Sequence, residues 1–126
     1  MSMENQFNFL RVKGGRTYFA RVTVASDPGF EGVRISAKAR DQNPYTPEGW
    51  LEAARLGAER AWRAHIELGG TKIGLQVTSV LGTEVDTSGS TVEVAAFCAA
   101  WKTLGREESE LNVEFDREWK VRSGAR

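Results

Sequence analysis

The sequence contains one cysteine, one histidine and three prolines in 126 residues. A lone Cys98 excludes an intramolecular disulfide and fits a reducing compartment. With His65 the only histidine, the usual nitrogen and sulfur ligands of a closed zinc site cannot be assembled, and no metal or other cofactor is expected. No run of about 18 apolar residues occurs, and Met1 to Phe7 lacks a basic start followed by an apolar stretch, so the expectation is a cytoplasmic protein with no membrane partner. No phosphate-cradling glycine loop ending in lysine and a hydroxyl residue is present, so no GTP site is expected. An excess of charge is missing too: 17 Lys and Arg are balanced by 17 Asp and Glu. That excludes a general attraction to polyanions and confines any nucleic-acid site to a local patch.

What is present is an ordinary globular mixture, 40% hydrophobic and 27% charged, in a chain of the right size for one domain spanning 1–126. The signs are segregated. Residues 1–63 carry ten basic and seven acidic side chains, and residues 64–126 carry seven and ten.

The first forty residues alternate. Phe7 to Lys13 is separated by Gly14-Gly15 from a run in which Tyr18, Ala20, Val22 and Val24 oppose Phe19, Arg21 and Thr23, the pattern of a hairpin with a two-residue turn. After Asp27-Pro28-Gly29, Val33 to Arg40 alternates again and is read as a third strand. Thr46-Pro47 marks a helix start, with Thr46 as cap and Pro47 in the first helical position. That helix runs to about Leu68, with an apolar arc through Trp50, Ala54, Gly57, Ala58 and Ala61. Arg55, Glu59, Arg63 and Glu67 lie outside at spacings of four that allow ion pairs.

Gly69-Gly70 ends the helix, and Ile73, Leu75 and Val77 form a fourth strand. Ser90 and Glu93 match the capping-box pattern of a second helix that runs to about Leu104. Val92, Ala95, Ala96 and Ala99 give it a small-residue face, and Val94, Phe97, Cys98 and Trp101 an apolar opposite side. A helix apolar nearly all round needs cover on more than one side. Leu111, Val113 and Phe115 alternate with Asn112, Glu114 and Asp116 in a last strand that continues through Trp119 and Val121, and residues 122–126 read as a frayed tail. The fold class is therefore α+β, in the order βββαβαβ, with two helices on one face of a mainly antiparallel sheet and the other face open.

Two stretches carry a family resemblance. Pro47-Glu48-Gly49-Trp50-Leu51-Glu52-Ala53-Ala54-Arg55-Leu56-Gly57 with Ala61 resembles the helix of the fourth domain of translation elongation factor G. Val85-Asp86-Thr87-Ser88, followed by the Ala95-Ala96 helix, is similar to that domain's valine-aspartate-serine-serine turn and alanine-rich helix. The match covers about residues 45–105. It implies the fold of the second domain of small-subunit ribosomal protein five, with a left-handed βαβ crossover against the usual rule, and RNA or the ribosome as partner. The family's aromatic and histidine before the acidic-valine-aspartate run are replaced by Gly82 and Thr83.

Two surfaces are candidates. Arg21, Arg34, Lys38 and Arg40 with Phe9 and Phe19 are expected on the open sheet face, where they would hold phosphates and stack on bases. The plainer alternative is neutralisation by Glu114, Asp116 and Glu118 of the last strand. Val94, Phe97 and Trp101 form an apolar ridge that either packs within the chain or joins it to a second copy as a homodimer. Enzymatic chemistry has little support. Glu84 with Asp86 is more simply a capping turn than an acid-base pair, His65 lacks a catalytic partner, and Cys98 sits in an alanine-rich helix as a small hydrophobe. The expectation is a noncatalytic binding module for RNA or a ribonucleoprotein, with self-association as the alternative.

Overall fold

The computed structural model describes residues 3–42 and 46–123; of Arg40, Asp41, Gln42 and Asp116 it describes the backbone alone. Strands β1 (Glu4–Lys13) and β2 (Arg16–Asp27) are joined by Gly14 and Gly15, both at positive φ (61° and 79°), which an L side chain adopts only under strain. β3 (Val33–Ile35) leads into α1 (Ala37–Gln42) and α2 (Glu48–Glu67); β4 (Gly74–Leu81) and α3 (Gly89–Thr103) follow, and β5 (Leu111–Asp116) and β6 (Glu118–Ser123) close the chain. The sheet order is β1-β2-β4-β3, antiparallel except for β3 with β4. That parallel pair is spanned by α1 and α2, the crossover unit of the fold. The class is α+β, as the periodicities predict.

Three local readings need correction. The stretch from Val33 to Arg40 is not one strand: it turns helical after Ile35. Ser36 starts that helix by accepting the Ala39 amide on its hydroxyl (3.1 Å), and four residues of alternation do not distinguish a strand from a short run of good helix formers. The last strand is a hairpin, broken where Arg117 takes a positive φ of 66° between the paired Asp116 and Glu118. It forms a two-stranded sheet of its own. The caps are shifted as well: Pro47, not Thr46, is the N-cap of α2, and α3 is capped by Ser88, whose amide bonds the Thr91 hydroxyl (2.7 Å).

α3 is the centre of the core. From Val92 to Trp101 every residue except Glu93 is buried, because β1 and β2 cover one side, α2 a second and β6 a third. Thr103 ties α3 to the sheet by donating its hydroxyl to the Val24 carbonyl (2.9 Å). The Trp62 indole of α2 donates to the Ile73 carbonyl (2.7 Å). The two helices meet at Gly57, where a Cβ would collide with the Glu93 carbonyl oxygen. A larger residue there would have to push the helices apart.

Candidate nucleic-acid interface

The hairpin register sets this site. Because Lys13 faces Arg16, Arg11 faces Tyr18 and Phe9 faces Ala20, and these alternate residues share the inner face. Phe9 is therefore not on the open face. It is 1% exposed, with the Trp119 ring 5.0 Å away in an edge-on contact. Tyr18 and Phe115 complete an aromatic cluster, Tyr18 lying 5.5 Å from both Phe115 and Trp119. Beyond this cluster the inner row continues as Arg11, Lys13 and Arg16, all exposed. The Arg11 guanidinium stands 5.4 Å from the Phe9 ring and that of Arg16 5.0 Å from Tyr18, so both cations rest on aromatic faces at the rim of the core.

The opposite row carries Asn8, Leu10, Val12, Phe19 and Arg21, with Leu10 62% and Val12 72% exposed. The loop from Gly82 to Ser88 docks beside it. The Phe19 amide donates to the Asp86 carbonyl (2.9 Å), the Thr87 hydroxyl donates to the Phe19 carbonyl (2.6 Å), and Arg16 reaches the Val85 carbonyl (3.4 Å). The loop holds its own shape through Thr83, whose amide donates to the Thr87 hydroxyl (2.8 Å) and whose hydroxyl accepts the Asp86 amide (3.0 Å). The hairpin end is thus braced from two sides.

Among the described residues, no carboxylate pairs with Arg11, Lys13, Arg16 or Arg21. Arg21 instead donates to the Asn8 amide oxygen. The other expected cations fall elsewhere. Arg34 lies on the open face but is committed: its guanidinium is 3.4 Å from Asp27 and 4.1 Å from the Phe30 ring. The Asp27 carboxyl is held below the usual carboxylate range, chiefly by the Gly29 amide, against some desolvation, and also by Gln76 and Arg34. Lys38 is exposed on α1 and is not part of the sheet, because the segment is helical. The Arg40 side chain lies outside the described residues.

Among the described residues, no carboxylate of the acidic last strand pairs with these cations. Glu114 faces Lys120 across the second sheet and stands 3.8 Å from Arg122; the Asp116 side chain lies outside the described residues. Arg11, Lys13 and Arg16 were the residues missed, although the Gly14-Gly15 turn, which sets Lys13 against Arg16, already implies their common face.

The apolar ridge is likewise corrected. Val94, Phe97 and Trp101 are 1%, 2% and 0% exposed. Phe97 stacks on Trp101 at 5.8 Å, and the Trp101 indole donates to the Glu107 carbonyl (3.0 Å). Nothing of this ridge is left for a partner.

His65 and Cys98 are structural. His65 is 5% exposed and accepts a hydrogen bond from Arg106 Nε on Nδ1 (2.7 Å). Burial, then the Arg106 charge, lowers its pKa against a small opposing effect of the Thr71 backbone, so the ring is held neutral. Burial pushes the Cys98 thiol up to about 12, which leaves it unreactive. No group of His, Cys, Asp or Glu among the described residues is placed to hold a metal, and no helix among them is long and apolar enough to cross a membrane. A concavity of about 680 Å³ lies between α2, the start of α3 and the β5–β6 hairpin. Its Arg60 is bound to Glu93 (2.6 Å) and to the Val121 carbonyl (2.8 Å), and its Ser90 hydroxyl accepts the Trp119 amide (3.1 Å).

No family model matches the chain, and no curated protein matches it. Among solved structures, a protein from Thermus thermophilus is similar at 22% identity, with a TM-score of 0.60; the match covers 80% of this chain and 15% of that one. The likeness is one of fold, and the chain spans only that small share of the longer molecule.

Proposed function

We propose that this chain is a noncatalytic binding module that engages RNA or a ribonucleoprotein surface through the end of its β1–β2 hairpin. The observation that carries this reading is the set of four cations on a braced hairpin, Arg11, Lys13 and Arg16 on the inner row and Arg21 on the opposite one, with no carboxylate partner among the described residues. Such groups exchange their counterions for phosphates, and the partly exposed Phe19 beside Arg21 supplies a ring for an unpaired base. The resemblance to the fourth domain of elongation factor G supports the same direction, since the matching turn, Val85 to Ser88, is the loop docked on this hairpin. The burial of His65 in its neutral form and of the Cys98 thiol supports the noncatalytic reading.

The test is RNA affinity as a function of salt. Four phosphate contacts predict a logarithmic slope of about three. Arg16→Ala should lower the slope by about one, and Arg34→Ala, already paired with Asp27, should leave it unchanged. Phe19→Ala should weaken binding to unpaired bases by about 1–3 kcal/mol without altering the slope, because stacking releases no counterions. Absence of binding at low ionic strength, or binding that survives removal of Arg11, Lys13 and Arg16 together, overturns the reading.

A further inference from the structure

β1 is an edge strand with little to protect it. It is ten residues long, pairs with β2 in continuous register without a bulge, and contains no proline. The other edge, β3, is only three residues long and runs into a helix. Natural sheets shorten, twist or cover their edges because a bare one templates pairing with another chain. β1 is neither short nor bulged, and its charges, Glu4, Arg11 and Lys13, lie toward its two ends and leave the stretch from Asn5 to Leu10 uncharged.

The hairpin fixes which backbone groups are free. A two-residue turn makes Lys13 and Arg16 a hydrogen-bonded pair, and the bonds then alternate down the ladder. The Ser26 amide donating to the Met3 carbonyl (2.7 Å) has the same phase. The odd residues of β1 are thus bonded to β2, and Glu4, Gln6, Asn8, Leu10 and Val12 turn their amides and carbonyls outward. No backbone bond among the described residues reaches that edge. Exposed apolar surface gathers there as well: of the six large hydrophobics that stand exposed among the described residues, Met3, Leu10 and Val12 lie on or beside this strand. A groove of about 360 Å³ lies along Gln6 to Arg11, walled by Lys102 and Glu108.

The geometry points to a second copy of this chain as the occupant, paired β1 to β1 about a two-fold axis through Asn8. In that register all five outward residues find partners: Asn8 faces the partner's Asn8, Gln6 the partner's Leu10 and Glu4 the partner's Val12. About ten backbone bonds result. On the inner face Asn5 meets the partner's Arg11 and Phe7 the partner's Phe9, so no like charges oppose one another. A chain of zero net charge adds no long-range repulsion. The two four-stranded sheets become one of eight, and each copy's edge is closed by the other in an isologous contact. This pairing uses backbone, whereas the RNA reading uses side chains at the hairpin end, and either can fail without the other.

The test is a pair of cysteine variants, because the only native thiol is buried. At a two-fold through Asn8 the two Cα atoms lie about 5.5 Å apart, inside the ~4.4–6.8 Å range a disulfide needs. Gln6 is four residues out of register with the partner's Gln6, about 13 Å away. Under mild oxidation Asn8→Cys should form a covalent dimer roughly tenfold faster than Gln6→Cys, and the wild-type protein should sediment as a dimer whose mass does not fall at high salt. Equal cross-linking of the two variants, or a wild-type monomer at all concentrations, overturns the proposal. Asn8→Pro removes an amide that β2 does not use and should yield a folded monomer. Retention of the dimer by that variant also counts against β1 pairing.

Discussion

Helix α2 and the β1–β2 hairpin both carry rows of cations, and the two rows are treated in opposite ways. On α2 each arginine has a carboxylate: Arg55 reaches Glu59 at 2.6 Å and Glu52 at 2.6 Å, Arg63 reaches Glu59 at 2.7 Å, and Arg60 crosses to Glu93 on α3 at 2.6 Å. Glu59 is held below the usual carboxylate range, first by its hydrogen bond to Arg63 and then by Arg55, with desolvation opposing them. On the hairpin the cations lean on aromatic rings and carbonyls and keep their charge for solvent. Residue type therefore does not separate a structural charge from a binding charge; the presence of a partner at the right spacing does.

The comparison is broken most severely at the helix crossing. Gly57→Leu drives a side chain into the Glu93 backbone and should cost about 3 kcal/mol by overpacking. Gly15→Ala meets no atom within 4 Å and pays only for its positive φ, about 1 kcal/mol. Denaturant midpoints with unchanged slopes measure both. A hairpin substitution that costs more than the helix one would reverse the assignment of roles.

His65, in the last turn of α2, gives a pH-dependent test of the same division. Its folded pKa lies below the ordinary 6.5 because burial and Arg106 disfavour the imidazolium. The unfolded chain therefore binds more protons as pH falls. Stability should be full above about 6.5 and should decline as pH drops from there through the folded pKa. In His65→Gln that part of the acid slope should vanish. A profile identical to the wild type would place the titrating group elsewhere.

Smaller effects follow from the ion pairs. Glu59→Gln weakens two contacts at once and should cost about 0.5–1 kcal/mol in dilute buffer, less in strong salt, as measured by thermal unfolding at two ionic strengths. The smallest change belongs to Arg16→Ala, within about 0.5 kcal/mol, since no carboxylate loses a partner. A larger loss of stability would mean that its stacking on Tyr18 is structural.

The strongest periodic signals are legible in sequence. Gly14-Gly15 marks the hairpin, the spacings of four on α2 mark its ion pairs, and the apolar circumference of α3 foretells cover on several sides. The site is less so. Phe9 and Phe19 look alike in the sequence, and only register counting through the turn sends one inward and leaves the other beside Arg21. Arg34 looks free because its partner, Asp27, follows from the approach of β3 to β2 around β4, a tertiary matter. The turn at Arg117 carries no glycine, asparagine or proline to announce it, which is why the sequence reads as one strand where there are two.

The pairing of α3 with the sheet has a consequence for how the chain reaches this state. Thr103 bonds to Val24 across 79 positions, and β2 pairs with β4, which follows both helices of the crossover in the sequence. As synthesis proceeds the hairpin closes on local information, then waits with Val22, Val24 and Phe9 uncovered until α3 and β6 arrive. Such late, distant contacts slow folding and leave a sticky nascent surface in the meantime. The strand whose edge is unpaired within one copy is also the first to be synthesised, so a partner that reaches it early competes with the chain's own second half.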